Sequence, residues 1–187
     1  NDNGNDSMII ADEGIRFNAS VEALSGLKTV IDGGVITAGN ASQITDGASA
    51  IMVCNDDGLK KLKADPRAKI KTITVVGDDP VFMLTGPIPA SKLALKRADL
   101  SIDDMDIYEV NEAFAPVPLA WAIELGADKS KLNVNGGAIA LGHPLGSTGT
   151  KLMTTMLHEL ERRNGKYSLQ AICEGGGTAN ATIIERL

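Results

Sequence analysis

The stretch from Asn133 to Thr150 constrains the fold more than any other part of the chain. It reads NVNGGAIALGHPLGSTGT and places six glycine or proline residues between an apolar run and a helical pattern. Glycines there let the backbone adopt left-handed angles and approach a ligand closely. His143 lies in this bend, and catalytic groups are concentrated in such loops. The stretch alone also fits an ordinary strand-to-helix turn with a capping histidine, so both interpretations stay open here.

Apolar runs alternate with helical patterns along the chain, which predicts an α/β layered sheet. The run at 48–54 is apolar throughout, as buried parallel strands are. Further strands are predicted at 70–76, 106–110, 168–173 and 178–186. Helices are predicted at 20–27, 59–64, 90–98 and 150–163, and after Asn111 up to Leu125.

Composition excludes several functional classes. The net charge of −6 argues against nucleic acid as the main partner, because phosphate binding needs a basic footprint. No apolar run reaches the length of a membrane span. Cys54 and Cys173 fit no metal-ligand spacing, so no metal site is expected, and such cysteine usage suits a reducing compartment. We therefore expect a cytoplasmic location.

The N-terminus reads NDNGND and is neither a signal peptide nor an initiator methionine. We expect the chain to begin within a longer protein, with residues 1–7 forming a polar loop. An organellar origin is therefore left open, since a targeting segment would lie outside the sequence.

Three polar groups follow predicted strands: Asn111, His143 and Cys173. Sites in open α/β sheets form where loops leave the carboxyl ends of strands, so these loops are expected to converge. A thiol has a pKa of about 8.5, near enough to neutral to exchange protons, and a histidine can activate it. The glycines after Cys173 leave backbone N–H groups free to face an anion. Asparagine and histidine donors could hold a water that stabilises an oxyanion.

Each of these residues alone also fits a structural role. Asparagine is a frequent helix N-cap, a buried free cysteine behaves as a small apolar residue, and three glycines can form a hairpin turn. The occurrence of all three groups at the ends of predicted strands favours a functional site.

Several motifs together resemble those of the thiolases, the acyltransferases that make or cleave 3-ketoacyl-CoA. The three main motifs are Asn111–Ala115 (NEAFA), Gly142–Gly149 (GHPLGSTG) and Cys173–Gly177 (CEGGG). Thr37–Ser42 with Asp46–Ser49, and Thr85–Ala90, also resemble thiolase motifs. The resemblance covers nearly the whole chain, in the order that thiolases have.

The resemblance implies a thiolase-like α/β fold of which this chain holds the later portion. Residues 1–47 would be the end of the loop domain, and residues 48–69 a returning strand and helix of the N-terminal half. Residues 70–187 would be the C-terminal domain, a mixed five-stranded sheet with helices on both faces. Without its N-terminal half, the strand at 48–54 would leave an unpaired edge and exposed apolar surface.

The resemblance also implies roles for the polar groups. His143 would activate the nucleophilic thiol and contribute to one oxyanion hole, and Asn111 would position the water of that hole. Cys173 would be the acid/base that moves the proton of the acetyl α-carbon. The backbone N–H of Gly175 would belong to a second hole. The acyl-accepting cysteine itself would lie in the N-terminal half, because Cys54 belongs to a predicted core strand and lacks the surrounding motif.

Ligands and partners follow from the same resemblance. Coenzyme A would be a substrate, with no permanently bound cofactor, and the partners would be CoA thioesters and the N-terminal thiolase half. Self-association into a homodimer or homotetramer is expected. The residues that match positions lining the CoA or acyl path are Ser42, Arg16, Phe114 and Met83. Leu84 adds bulk beside Met83, which favours a degradative enzyme for longer or bulkier acyl chains.

Two other functions are compatible with parts of the sequence. A truncated thiolase-like subunit could bind CoA thioesters or dimerise without catalysis, although such a module has no chemical need for all three motifs. A dinucleotide-binding fold would use Gly142 to Gly149, but its spacing there, G-x3-G-x2-G, differs from the fingerprint that seats a pyrophosphate.

Overall fold

The computed structural model describes residue 8, residues 10–12 and residues 14–187. The polar loop expected at residues 1–7 lies outside the described residues. The chain divides into two compact units, with the boundary between Gly39 and Asn40.

The first unit contains one short helix, α1 (Val21–Ser25), among its described residues. The helix begins after Ser20, whose Oγ accepts a hydrogen bond from the backbone N–H of Ala23 at 3.1 Å. This N-cap satisfies one of the donors that every helix start leaves free. Thr29 and Thr37 form an isolated antiparallel bridge that closes the following loop.

The second unit, described over its full length from 40 to 187, contains five α-helices and four strands. In chain order these are α2 (Asp56–Leu62), β1 (Ala68–Gly77), α3 (Pro87–Ala98), β2 (Ile107–Val110), α4 (Pro116–Leu125), α5 (Ala138–Leu141), α6 (Thr148–Arg163), β3 (Tyr167–Glu174) and β4 (Thr178–Arg186). Short 3-10 helices cover Ile102–Asp104 and Lys129–Lys131. No helix within the described ranges has the length and apolarity needed to cross a membrane.

The four strands form one mixed sheet in the order β1-β4-β3-β2. Strand β4 is antiparallel to both of its neighbours, whereas β2 and β3 run parallel. In the parallel pair, Val110 lies opposite Ala171. The carboxyl ends of β2 and β3 therefore meet at one edge of the sheet, where the loops after both strands emerge.

Helices cover both faces of this sheet, as the resemblance to thiolases implied. Successive strand residues point to opposite faces, so Tyr108 packs with α3 and α4 while Ile107 packs with α6. The face of the sheet that packs with α3 and α4 is called here the first core layer. In it, the ring centroids of Tyr108 and Trp121 lie 5.3 Å apart. On the other face, Met156 and Leu160 of α6 are fully buried. The prediction of a mixed α/β sheet is confirmed.

The sheet has four strands within the described residues, so the prediction of a fifth strand is wrong. Leu132 makes only a single parallel bridge with Tyr108. The next residue, Asn133, has a φ of 46°, which turns the backbone away from β2. Its side chain replaces the backbone hydrogen bonds that a neighbouring strand would make with Val110. Oδ1 accepts from Val110 N and Nδ2 donates to Val110 O, both at 2.9 Å.

The strand predicted at 48–54 does not form either. This segment has no regular structure, and Met52 and Val53 are 74% and 68% exposed. Cys54 is exposed too, so the prediction that it is a core residue is also wrong. A strand needs a neighbour to satisfy its backbone groups, and no strand of residues 40–187 pairs with this segment. The exposed apolar surface expected for this segment is confirmed.

Candidate active site

Asn111 and His143 contact each other at the carboxyl edge of the sheet. Asn111 directly follows β2, is 1% exposed, and donates its backbone N–H to Ala171 O of β3 at 3.0 Å. Its side-chain Nδ2 lies 3.3 Å from His143 Nε2. The two loops, 32 residues apart in sequence, converge as expected, but the prediction that His143 follows a strand is wrong, because helix α5 precedes it.

His143 is held by contacts on its backbone and on its ring. Gly142 before it has a φ of 89°, and a Cβ there would lie 2.5 Å from Thr45, so only glycine fits this bend. The backbone N–H of His143 donates to Gln43 O at 2.8 Å. The ring Nδ1 lies 2.7 Å from the Oγ1 of Thr148, in the first turn of α6. Both ring nitrogens therefore have polar partners.

Burial lowers the pKa of His143 below its ordinary value. Desolvation disfavours the charged imidazolium, so the ring is neutral at pH 7 and keeps one nitrogen unprotonated. A neutral, oriented imidazole is the form that can take a proton from a thiol.

The segment of residues 40–49 joins the loops that carry Asn111 and His143. Ser42 donates its backbone N–H to Ala113 O at 3.0 Å, and Gln43 O accepts from His143 N one residue later. The small side chains of this segment let it lie flat between the two loops. The motifs at Thr37–Ser42 and Asp46–Ser49 did not reveal this role as a connector, because the contacts of Ser42 and Gln43 use backbone atoms. The side chain of Ser49 adds a hydrogen bond to Ser147 O at 2.8 Å.

Cys173 and Gly175 lie at the same edge of the sheet, at the end of β3. Cys173 pairs with Ala179 of β4 and is half-buried, and Gly175 lies in the exposed turn that follows. No hydrogen bond in the described part of the chain joins Cys173 to Asn111 or His143. Burial raises the pKa of the Cys173 thiol, a backbone hydrogen bond opposes this, and the charge of Glu174 adds to it. The sulfur therefore stays protonated at neutral pH and can donate a proton.

The four residues expected to line the CoA or acyl path lie in different segments of the chain. Ser42 lies in the 40–49 segment, and Phe114 forms a bridge with Ala41 and packs against the first core layer. Met83 is half-buried, with a φ of 32°, in the loop before α3. Arg16 is exposed in the first unit. Among the described side chains, no cluster of three or more histidine, cysteine or acidic groups could hold a metal ion.

The expected steric role of Leu84 does not match its position. Leu84 packs against the first core layer together with Val76 and Ile88, so its bulk faces the protein interior. Phe82, which is 72% exposed, is the bulky side chain that remains open beside Met83.

Comparison with protein families identifies the origin of this arrangement. The family model described as "Thiolase, C-terminal domain" matches residues 64–186. The chain belongs to the thiolase family. A second family model, "Thiolase, N-terminal domain", matches residues 1–57 of the same thiolase chain. The resemblance found in the sequence motifs is therefore confirmed.

Relatives with curated names are thiolases as well. A steroid 3-ketoacyl-CoA thiolase from Mycobacterium tuberculosis is 58% identical over 176 residues, covering 94% of this chain and 43% of the relative. An acetyl-CoA acetyltransferase from Cupriavidus necator is 47% identical over 176 residues, covering 94% of this chain and 45% of the relative. The chain thus spans less than half the length of these relatives.

Solved thiolase structures share the fold. The human mitochondrial 3-ketoacyl-CoA thiolase in complex with CoA matches with a TM-score of 0.87 and 46% identity, covering 96% of this chain and 46% of that chain. The acetyl-CoA acetyltransferase of Bacillus anthracis matches with a TM-score of 0.90 and 40% identity, covering 94% of this chain and 45% of that chain.

The structure reveals a buried carboxyl group near the thiolase site that the motifs did not indicate. Glu109 of β2 is completely buried, and neither of its carboxyl oxygens has a hydrogen-bond partner. Burial raises the pKa of Glu109 to about 8, Lys151 opposes the shift, and the charges of Glu112 and Glu159 add to it. The one signal for this group in the sequence was an acidic residue, Glu109, inside a predicted apolar strand.

Replacement of Glu109 by glutamine is expected to change how stability depends on pH. The pKa in the folded state is raised, so folding favours the protonated form, and this contribution is complete below about pH 4.5. It is lost as the pH rises towards about 8, at roughly 1.4 kcal/mol for each pH unit. Glutamine has the same shape and does not ionise. Thermal unfolding of a full-length thiolase that contains this sequence, followed from about pH 5 to 9, measures this effect. The stability should fall less steeply with pH in Glu109→Gln than in the unaltered protein.

The matched control for this prediction is Glu124→Gln, which removes an exposed carboxylate paired with Lys92 at 3.9 Å. The control should keep the pH slope of the unaltered protein. Equal slopes for Glu109→Gln and the unaltered protein would show that Glu109 ionises normally.

Proposed function

We propose that this chain supplies the acid–base and oxyanion-binding groups of a thiolase. The reaction is CoA-dependent thiolytic cleavage of a 3-ketoacyl-CoA to acetyl-CoA and a shortened acyl-CoA, or the reverse Claisen condensation. The observation that carries the proposal is the 3.3 Å contact between Asn111 Nδ2 and His143 Nε2, at the sheet edge where β3 ends with Cys173 and Glu174. The acyl-accepting cysteine belongs to an N-terminal thiolase half.

His143 and Cys173 divide the proton transfers of thiolysis between them. His143 takes the proton of the acyl-accepting thiol, whose sulfur attacks the 3-keto carbon. The C2–C3 bond then breaks, and its electron pair passes to the enolate of acetyl-CoA. Cys173 donates its proton to C2 of that enolate, which releases acetyl-CoA. The thiol of a second CoA loses its proton to solvent, and its sulfur attacks the thioester and takes the shortened acyl group. The acyl-accepting sulfur recovers its proton from His143, and the Cys173 thiolate recovers its proton from solvent.

Asn111 and Gly175 stabilise the negative charges that these steps create. The protonated Nε2 of His143 and a water held by Asn111 donate hydrogen bonds to the enolate oxygen. The backbone N–H of Gly175 donates to the oxyanion that forms on the 3-keto group. Donors fixed in place before the reaction cost no reorganisation when the charge develops.

The domain boundaries and partners belong to the same proposal. Residues 1–47 complete a loop domain, residues 48–69 belong with the N-terminal half, and residues 70–187 form the C-terminal domain. The N-terminal family match ends at residue 57 and the C-terminal one begins at residue 64, which supports a junction of the two halves within residues 48–69. The exposed Met52 and Val53 support burial against the N-terminal half or a second copy, as in a homodimer or homotetramer. We place the enzyme in the cytoplasm and in fatty acid β-oxidation.

The substrate is proposed to be a 3-ketoacyl-CoA with a long or bulky acyl group. The 58% identity to a relative named as a steroid 3-ketoacyl-CoA thiolase supports this choice. Ser42, Phe114, Met83 and Arg16 remain the proposed contacts for CoA and the acyl group.

Thiolysis assays on a full-length thiolase that contains this sequence, called here the full-length enzyme, test the function. The enzyme should cleave both acetoacetyl-CoA and a bulky 3-ketoacyl-CoA, with the higher kcat/KM for the bulky substrate. Asn111→Ala should lower kcat on both by about 10²-fold, because it removes the support of an oxyanion donor. Asn164→Gly is the control, since Asn164 ends α6 with a φ of 56° that glycine adopts freely.

Failure of the full-length enzyme to cleave either substrate would overturn the proposed activity. A higher kcat/KM for acetoacetyl-CoA would overturn the substrate preference alone. A non-catalytic subunit that binds CoA thioesters is the alternative, and it would bind CoA without turnover.

A further inference from the structure

We propose that Glu112 is a positioning residue that fixes the separation of Asn111 and His143. The inference rests on the proposed function, because it concerns the same pair of groups. Glu112 follows Asn111 directly, and its carboxylate accepts two hydrogen bonds from the loop that leads to His143. The donors are Asn133 Nδ2 at 2.9 Å and Ile139 N at 3.2 Å.

The bond to Ile139 ties Glu112 to the short helix before His143. Helix α5 has four residues, and its N-cap, Gly137, makes no side-chain capping bond. A single helical turn is unstable by itself, so an external acceptor at its start decides whether it forms. Glu112 provides that acceptor from another loop. Gly142 N donates to Ala138 O at 2.9 Å, so the position of this turn sets the position of His143 next to it.

The bond to Asn133 ties the beginning of the same loop to β2. Asn133 is buried and already bonds both backbone groups of Val110, so it is fixed relative to the strand that carries Asn111. Glu112 therefore connects both ends of the loop from Asn133 to Ile139 to the Asn111 segment. A carboxylate can accept all of these bonds because it has two oxygens and no hydrogen of its own.

Gly137 is the complement of Glu112 in this arrangement. A Cβ on residue 137 would lie 2.0 Å from the Glu112 carboxyl carbon, a distance that two non-bonded carbons cannot occupy. The φ of Gly137 is −116°, which any residue adopts, so its backbone conformation does not require glycine. Glycine is needed at 137 because the Glu112 carboxylate packs directly against the backbone there.

The first test replaces Glu112 by glutamine in the full-length enzyme. Glutamine has the same shape, but its NH₂ group must face one of the two donors, so one hydrogen bond is lost. We expect kcat for thiolysis to fall about 10- to 100-fold while KM for CoA stays within about twofold, because the reacting groups are misplaced and CoA binding is not. Glu124→Gln, an exposed carboxylate on α4, is the control and should keep both constants.

A double-mutant cycle with Gly137→Ala tests the contact itself. Gly137→Ala should lower kcat, because the new methyl group displaces the carboxylate. In a Glu112→Ala background the same change should cost little more, because the clashing side chain is gone. Additive effects of the two substitutions would overturn the proposal.

An NMR titration of the His143 ring distinguishes this proposal from the proposed function. Burial holds the pKa of His143 low. Loosening the loop in Glu112→Gln should move that pKa up towards its ordinary value, whether or not the protein is a thiolase in activity. The signal is assigned by its loss in His143→Ala. An unchanged pKa together with unchanged kcat would overturn the role of Glu112. A protein without thiolase turnover in which the pKa still rises would overturn the proposed function alone.

Discussion

His143→Ala in the full-length enzyme is expected to lower kcat for thiolysis by about 10³-fold or more. General base catalysis contributes about 10²- to 10⁴-fold, and loss of an oxyanion donor costs about 10²- to 10³-fold. The two losses do not simply multiply, because both functions depend on the same imidazole. The ring is fixed by its contacts with Asn111 and Thr148, so no other described side chain can take its place.

His158→Ala is the matched control for this result. His158 is the other histidine of the chain, lies on the exposed side of α6, and contacts the Thr154 carbonyl oxygen of the preceding turn. Its replacement should leave kcat within about twofold, as for an ordinary surface position. The expected residual kcat of His143→Ala is about one thousandth of that of the unaltered enzyme. A residual kcat of about a tenth or more would contradict the assigned role.

Cys173→Ala is expected to lower kcat for thiolysis by about 10³-fold while acylation of the N-terminal cysteine from an acyl-CoA continues. The reason is that Cys173 handles the proton on the acetyl carbon and takes no part in attack on the thioester. Its raised pKa keeps the thiol protonated, which suits a group that must deliver a proton to an enolate. Kinetics of turnover and the mass of the acylated protein measure the two steps separately.

Cys54→Ala is the control for Cys173, because it removes the other cysteine of this sequence, which lies in a segment without regular structure. It should leave turnover and acylation unchanged. Loss of acylation in Cys173→Ala would assign Cys173 to the nucleophilic step instead.

Strands and helices with strong patterns were predictable from the sequence. The runs at 70–76, 168–173 and 178–186 lie in strands, as does the run at 106–110 except for Asp106, and the stripe of α6 is buried as its period indicates. These elements find their partners within the chain, so local pattern and tertiary packing agree. The α/β layer order followed from the same patterns.

The segment at 48–54 shows where such reasoning fails. Its apolar composition fits a strand, but a strand also needs a neighbouring edge, which is a property of the whole sheet. Within residues 40–187 no edge pairs with it, and Cys54 becomes exposed. The expected fifth strand of the sheet is missing for a different reason. After the single bridge of Leu132, Asn133 adopts a left-handed φ that no pattern of apolar residues reveals.

The main polar groups of the site were predictable, but their supports were not. Asn111, His143 and Cys173 stand in motifs, which sequence reasoning can detect, but only Asn111 and Cys173 stand at strand ends, since His143 follows helix α5. Glu112 lies within the Asn111–Ala115 motif, but its hydrogen bonds reach residues 21 and 27 positions away, so the motif does not reveal what it contacts. The Gly136-Gly137 pair was visible, yet its complement across the fold became clear only from the 2.0 Å approach.

Hydrogen exchange at the acetyl carbon tests the central claim most directly. Acetyl-CoA incubated in D₂O with the full-length enzyme should gain deuterium at its methyl group, because the protonation of the enolate by Cys173 is reversible. The thiolate form of Cys173 removes the proton in the reverse step, and the Asn111–His143 pair stabilises the enolate. Mass spectrometry of the recovered acetyl-CoA measures the uptake. The expected result is uptake with the unaltered enzyme and with Cys54→Ala, and none above background with Cys173→Ala. Uptake at an undiminished rate with Cys173→Ala would contradict the claim that this chain supplies the proton-transfer group of a thiolase.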